Sequence, residues 1–238
     1  RDSSAQIADQ TDTGVGGEVV GNYATWNPLF GENQSLSNGN LKAESSTTGY
    51  AIIASTIAMK SGKWYMEYTY TPNNGQPYIS WEISQTNRDG TAGSGVTDTA
   101  EDKGFKAWNS GFYSQSAGSN VHDYSSSVSS GDIISLAFDA DGGNLWVAKN
   151  GTWMTNASGT GNPATGANPD YSSLTYSGGY YFMAGPYYTN GSTLEANFGQ
   201  RAFAYTAPSG YKALCTANLP DPTIADGSTA FDSKLYSG

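Results

Sequence analysis

Residues 131–153 constrain the fold more than any other part of this sequence. An apolar run at 133–139 is followed by a turn of Asp, Gly and Asn, a second apolar run at 145–149, and then Asn150-Gly151. Turns of this composition between short apolar runs are strong local signals for β-hairpins. This stretch therefore predicts consecutive antiparallel strands.

The rest of the chain repeats this pattern, with turn signals every 8–15 residues and no sustained helical period. Residues 64–70 alternate, which places Trp64, Met66, Tyr68 and Tyr70 on one face. Further strands are predicted over 22–29 (stopped by Pro28), at 36–41 as strand-turn-strand, at 78–83, once or twice in 112–124, and as a last hairpin of 180–188 with 193–198. Residues 51–59 could form a strand or a short helix, and their isoleucine content favours a strand. Residues 84–111 and 155–178 read as long polar loops. The pattern predicts an all-β antiparallel sandwich.

Composition limits both the core and the partners. Hydrophobic residues are only 37% of the chain, so the 17 Tyr, 8 Phe and 6 Trp must supply much of the core. A net charge of −10, with 11 scattered basic residues, argues against nucleic acid as a partner. The single Cys215 excludes an internal disulfide, and no apolar run approaches the length of a membrane span. Asn-x-Ser/Thr glycosylation motifs occur at Asn33, Asn150, Asn156 and Asn190. In a chain this rich in Asn and Ser they are expected by chance, and a glycosylated surface is the alternative.

Three regions are expected along the chain. Residues 1–20 read as a polar arm or linker, 21–212 as the sandwich, and 213–238 as an extended tail with Pro and Gly breakers. The sequence begins at Arg1, so we expect a processed product or an excised piece. Ordered polar ends would fit an assembly, which suggests a homo-oligomer or filament.

Several motifs occur in a fixed order. Gly62 precedes an aromatic strand with Glu67, Gly-Asp at 131–132 opens the double hairpin that ends near Asn150-Gly151, and Asn-Phe-Gly follows at 197–199. Their order and spacing, over about residues 22–205, resemble a SPRY domain. The resemblance implies a bent β-sandwich of concanavalin-like type that presents loops for binding, and it implies no catalysis. The loops 84–111 and 155–178 are long and Gly-rich, unlike the peptide-binding loops of animal SPRY modules, so we transfer no peptide-binding residue.

Two flanking stretches have a narrower resemblance. Residues 21–29 (Gly-Asn-Tyr-Ala-Thr-Trp-Asn-Pro-Leu) resemble the opening of SPRY-containing structural proteins of bacteriophages, notably marine ones. Residues 199–206 and 219–224 resemble their closing stretch. This resemblance implies a virion structural or surface module, from a tail, fibre or capsid surface. Its partners would be other copies of itself or neighbouring virion proteins, with a host-surface glycan as a further partner.

Catalytic and metal-binding interpretations are weaker than structural ones. The Asp139-x-Asp141 turn resembles the start of a calcium loop but lacks the downstream Glu. His122 is the only histidine and has no nucleophile motif nearby. Glu67, Glu82 and Glu195 are candidates for a glycosidase pair, although Glu67 has the place of the family's structural strand-end acid. The Gly-rich runs at 14–17 and 159–161 lack the helix that a phosphate cradle needs, and we expect neither a cofactor nor enzyme activity.

An exposed aromatic platform is the remaining candidate site. Aromatic residues with polar neighbours suit sugar or protein partners, although most aromatic residues here must build the core. The candidates are Tyr78, Trp81, Trp108, Tyr113, Tyr187 and Tyr188, with Trp108 and Tyr113 ranked first because they lie in or near a long loop. The leading hypothesis is a non-catalytic phage virion module. The alternative is a carbohydrate-binding or adhesive module of a cell-surface or extracellular protein.

Overall fold

The computed structural model describes residues 21–32, 34–45, 52–71, 78–84, 103–108, 111–116, 119–186 and 193–220. Almost all of the regular structure in these ranges is β-strand. The strands are β1 (Trp26–Glu32), β2 (Gln34–Ser37), β3 (Lys42–Ser45), β4 (Ile52–Ser55), β5 (Lys63–Thr71), β6 (Tyr78–Ser84), β7 (Lys103–Trp108), β8 (Gly111–Ser116), β9 (Ser119–Asp123), β10 (Ile133–Asp139), β11 (Asn144–Lys149), β12 (Thr152–Trp153), β13 (Thr155–Asn156), β14 (Gly159–Thr160), β15 (Tyr181–Pro186), β16 (Thr193–Asn197) and β17 (Lys212–Ala213). A single 3₁₀ turn, Thr216–Asn218, is the one helical element in these ranges.

The strands form two large sheets. Sheet 1 has the order β1-β4-β15-β6-β7-β8-β9, and sheet 2 has the order β12-β11-β10-β5-β16-β3-β2. All pairings along both orders are antiparallel, while β17 pairs parallel to β5. The predicted all-β sandwich is therefore confirmed.

The core between the sheets is aromatic, as the composition requires. Trp64, Met66, Tyr68 and Tyr70 of β5 are all buried in one cluster, so the predicted alternation is confirmed. The Tyr68 ring stacks on Trp26 at a centroid distance of 6.0 Å. Each buried aromatic side chain removes a large apolar area from water, which compensates for the small number of aliphatic residues.

The double hairpin predicted at 131–153 is present as β10, β11 and β12. Asn150 and Gly151 both have positive φ (49° and 76°), as a two-residue type I′ turn requires. The Asn150 side chain also joins the two ends of the motif. Its Nδ2 donates to Asp132 at 2.8 Å and its Oδ1 accepts from the Ile133 N–H at 2.9 Å. The Gly-Asp and Asn-Gly parts of the motif are thus a single hydrogen-bonded unit.

The expectation that Pro28 stops the first strand was wrong. Strand β1 runs from Trp26 to Glu32 and its register with β4 shifts between Trp26 and Gly31. Pro28 lies inside this irregular stretch, on a strand at the edge of sheet 1. A proline lacks the N–H that a ladder needs, but an edge bulge does not require that donor.

The expected last hairpin was also wrong. Strand β15 lies in sheet 1 between β4 and β6, whereas β16 lies in sheet 2 between β5 and β3. The connection between them therefore crosses from one sheet to the other. Turn residues at Asn190-Gly191 indicated a reversal, but local turn chemistry does not tell which sheet receives the next strand.

Both predicted long loops contain ordered structure. Residues 103–108, expected to be loop, form β7, because Phe105 and Ala107 point into the core on alternate positions. Residues 155–178 hold the small β13–β14 ribbon and bury Tyr171 and Leu174 against the core. In a polar segment, two apolar anchors are too few to produce a recognisable period.

The outer face of sheet 2 is covered by the chain itself. A second cluster there joins Tyr65, Ala137 and Trp146 to Ala207 and Tyr211. Beyond it, Ala213, Leu214 and Cys215 are fully buried, and the N–H of Ala24 donates to the Leu214 carbonyl at 2.9 Å. Residues 213–220, expected to open an extended tail, are therefore part of the packed body.

Candidate binding surface

Three of the six aromatic candidates occupy neighbouring positions at one end of sheet 1. In the ladder, Tyr78 of β6 pairs with Trp108 of β7, and Trp108 pairs with Gly111 of β8. Tyr113 follows two positions along β8, opposite Lys106. The antiparallel pairing of β7 with β8 thus places the positions of Trp108 and Tyr113 on neighbouring strands, whereas the sequence indicated only that both lie in or near a long loop.

Strand alternation decides which face these positions share. Phe105 and Phe112 point into the core, so Lys106 and Tyr113 lie on the outer face of sheet 1, and the position of Trp108 has the same parity. Tyr113 is half-buried, and its ring lies over Gly111, where a Cβ would collide with it. The glycine therefore gives the tyrosine ring room to lie flat on the strand. We call positions 78, 106, 108 and 113 the aromatic end of sheet 1.

The other three aromatic candidates do not belong to this group. Trp81 is fully buried and packs against Tyr70 and Phe112, so its role is in the core. Tyr187 and Tyr188 lie outside the described residues.

A buried polar network that the sequence did not indicate surrounds Asp170. Its Oδ1 accepts from the Tyr124 hydroxyl at 2.7 Å, and its Oδ2 accepts from the Val147 N–H at 3.0 Å. Asn156 Nδ2 donates to the same carboxylate at 3.3 Å. Asp170 thereby ties the 155–171 segment to β11 and to the chain after β9. Nothing in the polar sequence of that segment distinguishes Asp170 from its neighbours.

Burial dominates the electrostatics of this network. It raises the pKa of Asp170 to about 6, against the lowering effect of the hydrogen bonds from Tyr124, Val147 and Asn156. Burial, followed by the negative charge of Asp170, raises the pKa of the Tyr124 hydroxyl far above its usual value. His122 packs edge-on against Tyr124, with Nε2 3.1 Å from the Thr155 carbonyl oxygen. The only histidine thus lies in a packing role beside the network.

Two of the candidate glycosidase carboxylates hold a chain segment in place. The Glu67 carboxylate is buried and accepts from the backbone N–H groups of Ala204 and Tyr205 at 2.8 and 2.9 Å. Glu195 forms an ion pair with Arg201 at 2.8 Å. The predicted structural hydrogen-bonding role of Glu67 is confirmed. Glu82 lies on β6, in the opposite sheet.

The calcium-like motif is a hairpin turn, as preferred. Asp139 pairs with Asn144 across it, and the Asp139 Oδ1 accepts from the Gly142 N–H at 2.8 Å. The Asp139 Oδ2 pairs with Lys63 at 3.1 Å, and Asp141 accepts from the Gly62 N–H at 3.0 Å. Within the described ranges, no group of three or more His, Cys, Asp or Glu side chains could hold a metal ion. Those ranges also contain no helix long and apolar enough to cross a membrane.

Comparisons with known proteins bear on the fold. The chain is similar to the crystal structure of the SPRY domain of human HERC1, with a TM-score of 0.53 and 15% identity over 72% of this chain and 96% of that one. It is also similar to the crystal structure of the TRIM65 PSpry domain, with a TM-score of 0.51 and 11% identity over 74% and 92% of the two chains. No family model matches the sequence, and no curated protein matches it. At these identities the likeness shows the fold, and the fold is that of a SPRY β-sandwich.

Proposed function

We propose that this chain is a non-catalytic virion structural or surface module of a bacteriophage, which acts through protein assembly. The observation that carries the proposal is the contact of the phage-like stretch 21–29 with residues 214–217, which lie between the two closing phage-like stretches, 199–206 and 219–224. Tyr23 bridges to Cys215, and the Thr216 N–H donates to the Asn22 carbonyl at 2.9 Å. Residues 22–24 and 214–216 are distant in sequence but are hydrogen-bonded to one another.

This junction has a consequence for assembly. Gly21 lies against Ala217, so the chain enters and leaves the described body at the same place. A module held through both ends presents its remaining surface outward, which suits a component displayed on a particle. The SPRY fold supports the same reading, since it implies loops presented for binding.

The virion proposal is tested on particles. An antibody against the purified chain should decorate intact phage particles from the source of the sequence in immunogold electron microscopy. It should also detect the chain in particles that have been purified on a density gradient. Antigen found only in the unassembled fraction would contradict a structural role.

The aromatic end of sheet 1 supports a second candidate function, the binding of a carbohydrate. Flat aromatic rings beside polar groups provide apolar contact and hydrogen bonds together, which sugars require. A glycan array with the wild-type chain should then show binding that Trp108→Ala and Tyr113→Ala both reduce. Tyr176→Ala is the matched control, because Tyr176 is an exposed tyrosine (42%) in the segment before β15. No binding to any polysaccharide at millimolar concentration would eliminate this candidate.

A further inference from the structure

Two adjoining cavities form a groove on the side of the sandwich where the chain leaves the described body. One has a volume of about 540 Å³ and lies between residues 56–61 and Leu219. The other has a volume of about 360 Å³ and lies between residues 62–64 and 209–212. Pro220 lines both cavities, so together they form one groove, which we call the basic groove.

The charge of the basic groove is opposite to that of the whole chain. Its described lining contains Lys60, Lys63 and Lys212 and no aspartate or glutamate, in a chain with 21 acidic and 11 basic residues. Lys60 and Lys212 are exposed. Lys63 already pairs with Asp139, and Asp141 lies nearby on the Gly62 N–H. The two exposed lysines are therefore the charges available to a ligand.

The floor of the groove adds two further features. Ile57, Ala58, Leu219 and Pro220 give it an apolar part. Asn218 also lines it, is 92% buried, and donates through Nδ2 to the Ala213 carbonyl at 3.0 Å. The Oδ1 of Asn218 has no hydrogen-bond partner within the described structure. A buried acceptor without a donor is unfavourable, and a peptide N–H in the groove would supply that donor.

We propose that the basic groove binds the acidic segment 221–238 of a neighbouring copy of this chain. This segment carries three aspartates and one lysine, together with Ile224, Phe231, Leu235 and Tyr236 as apolar anchors. Residues 1–20 are also acidic, but they offer only Ile7 and three valines to an apolar floor. Both segments carry net negative charge, so apolar contact is what favours residues 221–238. The inference rests on the assembly proposal for the neighbouring copy and names the surface through which copies would associate.

The test uses a fluorescent peptide with the sequence of residues 221–238 and the full-length chain. Fluorescence anisotropy should show binding that weakens as salt increases, because exposed charges are screened. Lys60→Glu and Lys212→Glu should each weaken binding by about tenfold, since each replaces an attractive contact with a repulsive one. Lys42→Glu is the control, because it makes the same charge change on β3, outside the described lining of the groove. A peptide with Asp221, Asp226 and Asp232 replaced by Asn should bind more weakly.

Each other outcome overturns part of the proposal. If the peptide binds only a variant that ends at Pro220, the segment occupies the groove of its own chain, not that of a neighbour. If neither form binds, or if Lys42→Glu weakens binding as much as Lys212→Glu, the groove is not the site. Because the test uses purified chain, its failure leaves the particle-labelling experiment to decide the virion proposal separately.

Discussion

The carboxylate of Glu67 accepts a hydrogen bond from the backbone N–H of Tyr205, 138 residues later, at 2.9 Å. The same carboxylate also accepts hydrogen bonds from the backbone N–H of Ala204 and from the Tyr65 hydroxyl. This buried acid fixes the segment that covers the outer face of sheet 2. The covering segment in turn leads to the basic groove, so Glu67 positions one wall of the proposed assembly surface.

Loss of the Glu67 carboxylate should therefore destabilise the whole fold. Glu67→Ala leaves two backbone N–H groups and a tyrosine hydroxyl without their acceptor. We expect a loss of about 2–4 kcal/mol in the free energy of unfolding, measured by urea denaturation. Glu195→Ala is the control, because its ion pair with Arg201 is exposed and should contribute less than about 1 kcal/mol. Equal losses for the two variants would show that the Glu67 contacts are not stabilising.

Two buried tyrosines should respond oppositely to removal of the hydroxyl. The Tyr171 hydroxyl lies within hydrogen-bonding distance of the carbonyls of Gly104 (2.8 Å) and Gln115 (2.6 Å). The Tyr211 hydroxyl is buried without a partner among the described residues. Tyr171→Phe should thus cost about 1–2 kcal/mol of unfolding free energy, while Tyr211→Phe should be neutral or stabilising. Thermal and urea unfolding of both variants measure this, and a costly Tyr211→Phe would contradict the assignment.

The turn at Gly151 should not accept a side chain. Its φ of 76° is left-handed, and a Cβ there would collide with the Tyr205 ring. Gly39 also has a positive φ (63°) but has no atom within 4 Å of an added Cβ. Gly39→Ala should therefore cost about 1 kcal/mol from backbone strain alone, and Gly151→Ala clearly more. The difference between the two unfolding free energies isolates the collision with Tyr205.

Asp170 should make stability depend on pH in an unusual direction. Its folded-state pKa of about 6 lies above the ordinary value of 3.8, so the folded state binds this proton more tightly than the unfolded state. The contribution of Asp170 to the free energy of unfolding is greatest below about pH 4, falls as the pH rises to about 6, and is constant above that. The unfolding free energy of wild type relative to Asp170→Asn should fall by up to about 3 kcal/mol between pH 3.5 and pH 7. A difference that is flat or rises with pH would contradict the raised pKa.

Local pattern predicted the strands that turn chemistry and alternation define. The double hairpin around Asn150-Gly151 follows from short-range rules, and so does the inward face of β5. Both depend on residues that are near one another in the chain. Local rules failed where the structure of a segment depends on distant strands. Pro28 lies inside a strand because that strand is at the edge of its sheet. Strands β15 and β16 are consecutive in the chain but belong to different sheets.

The sequence alone determined an antiparallel aromatic sandwich, because period-two alternation and positive-φ turns are properties of single strands and their connections. It also ranked Trp108 and Tyr113 first among the aromatic candidates, because both lie in or near a long polar segment. Only the tertiary structure decided that Glu67 binds the 204–205 backbone, that Asp170 is buried, and that Lys60 and Lys212 border one groove. Each of these relationships joins residues more than 20 positions apart, and such contacts are set by how the sheets pack and not by any local preference of the chain.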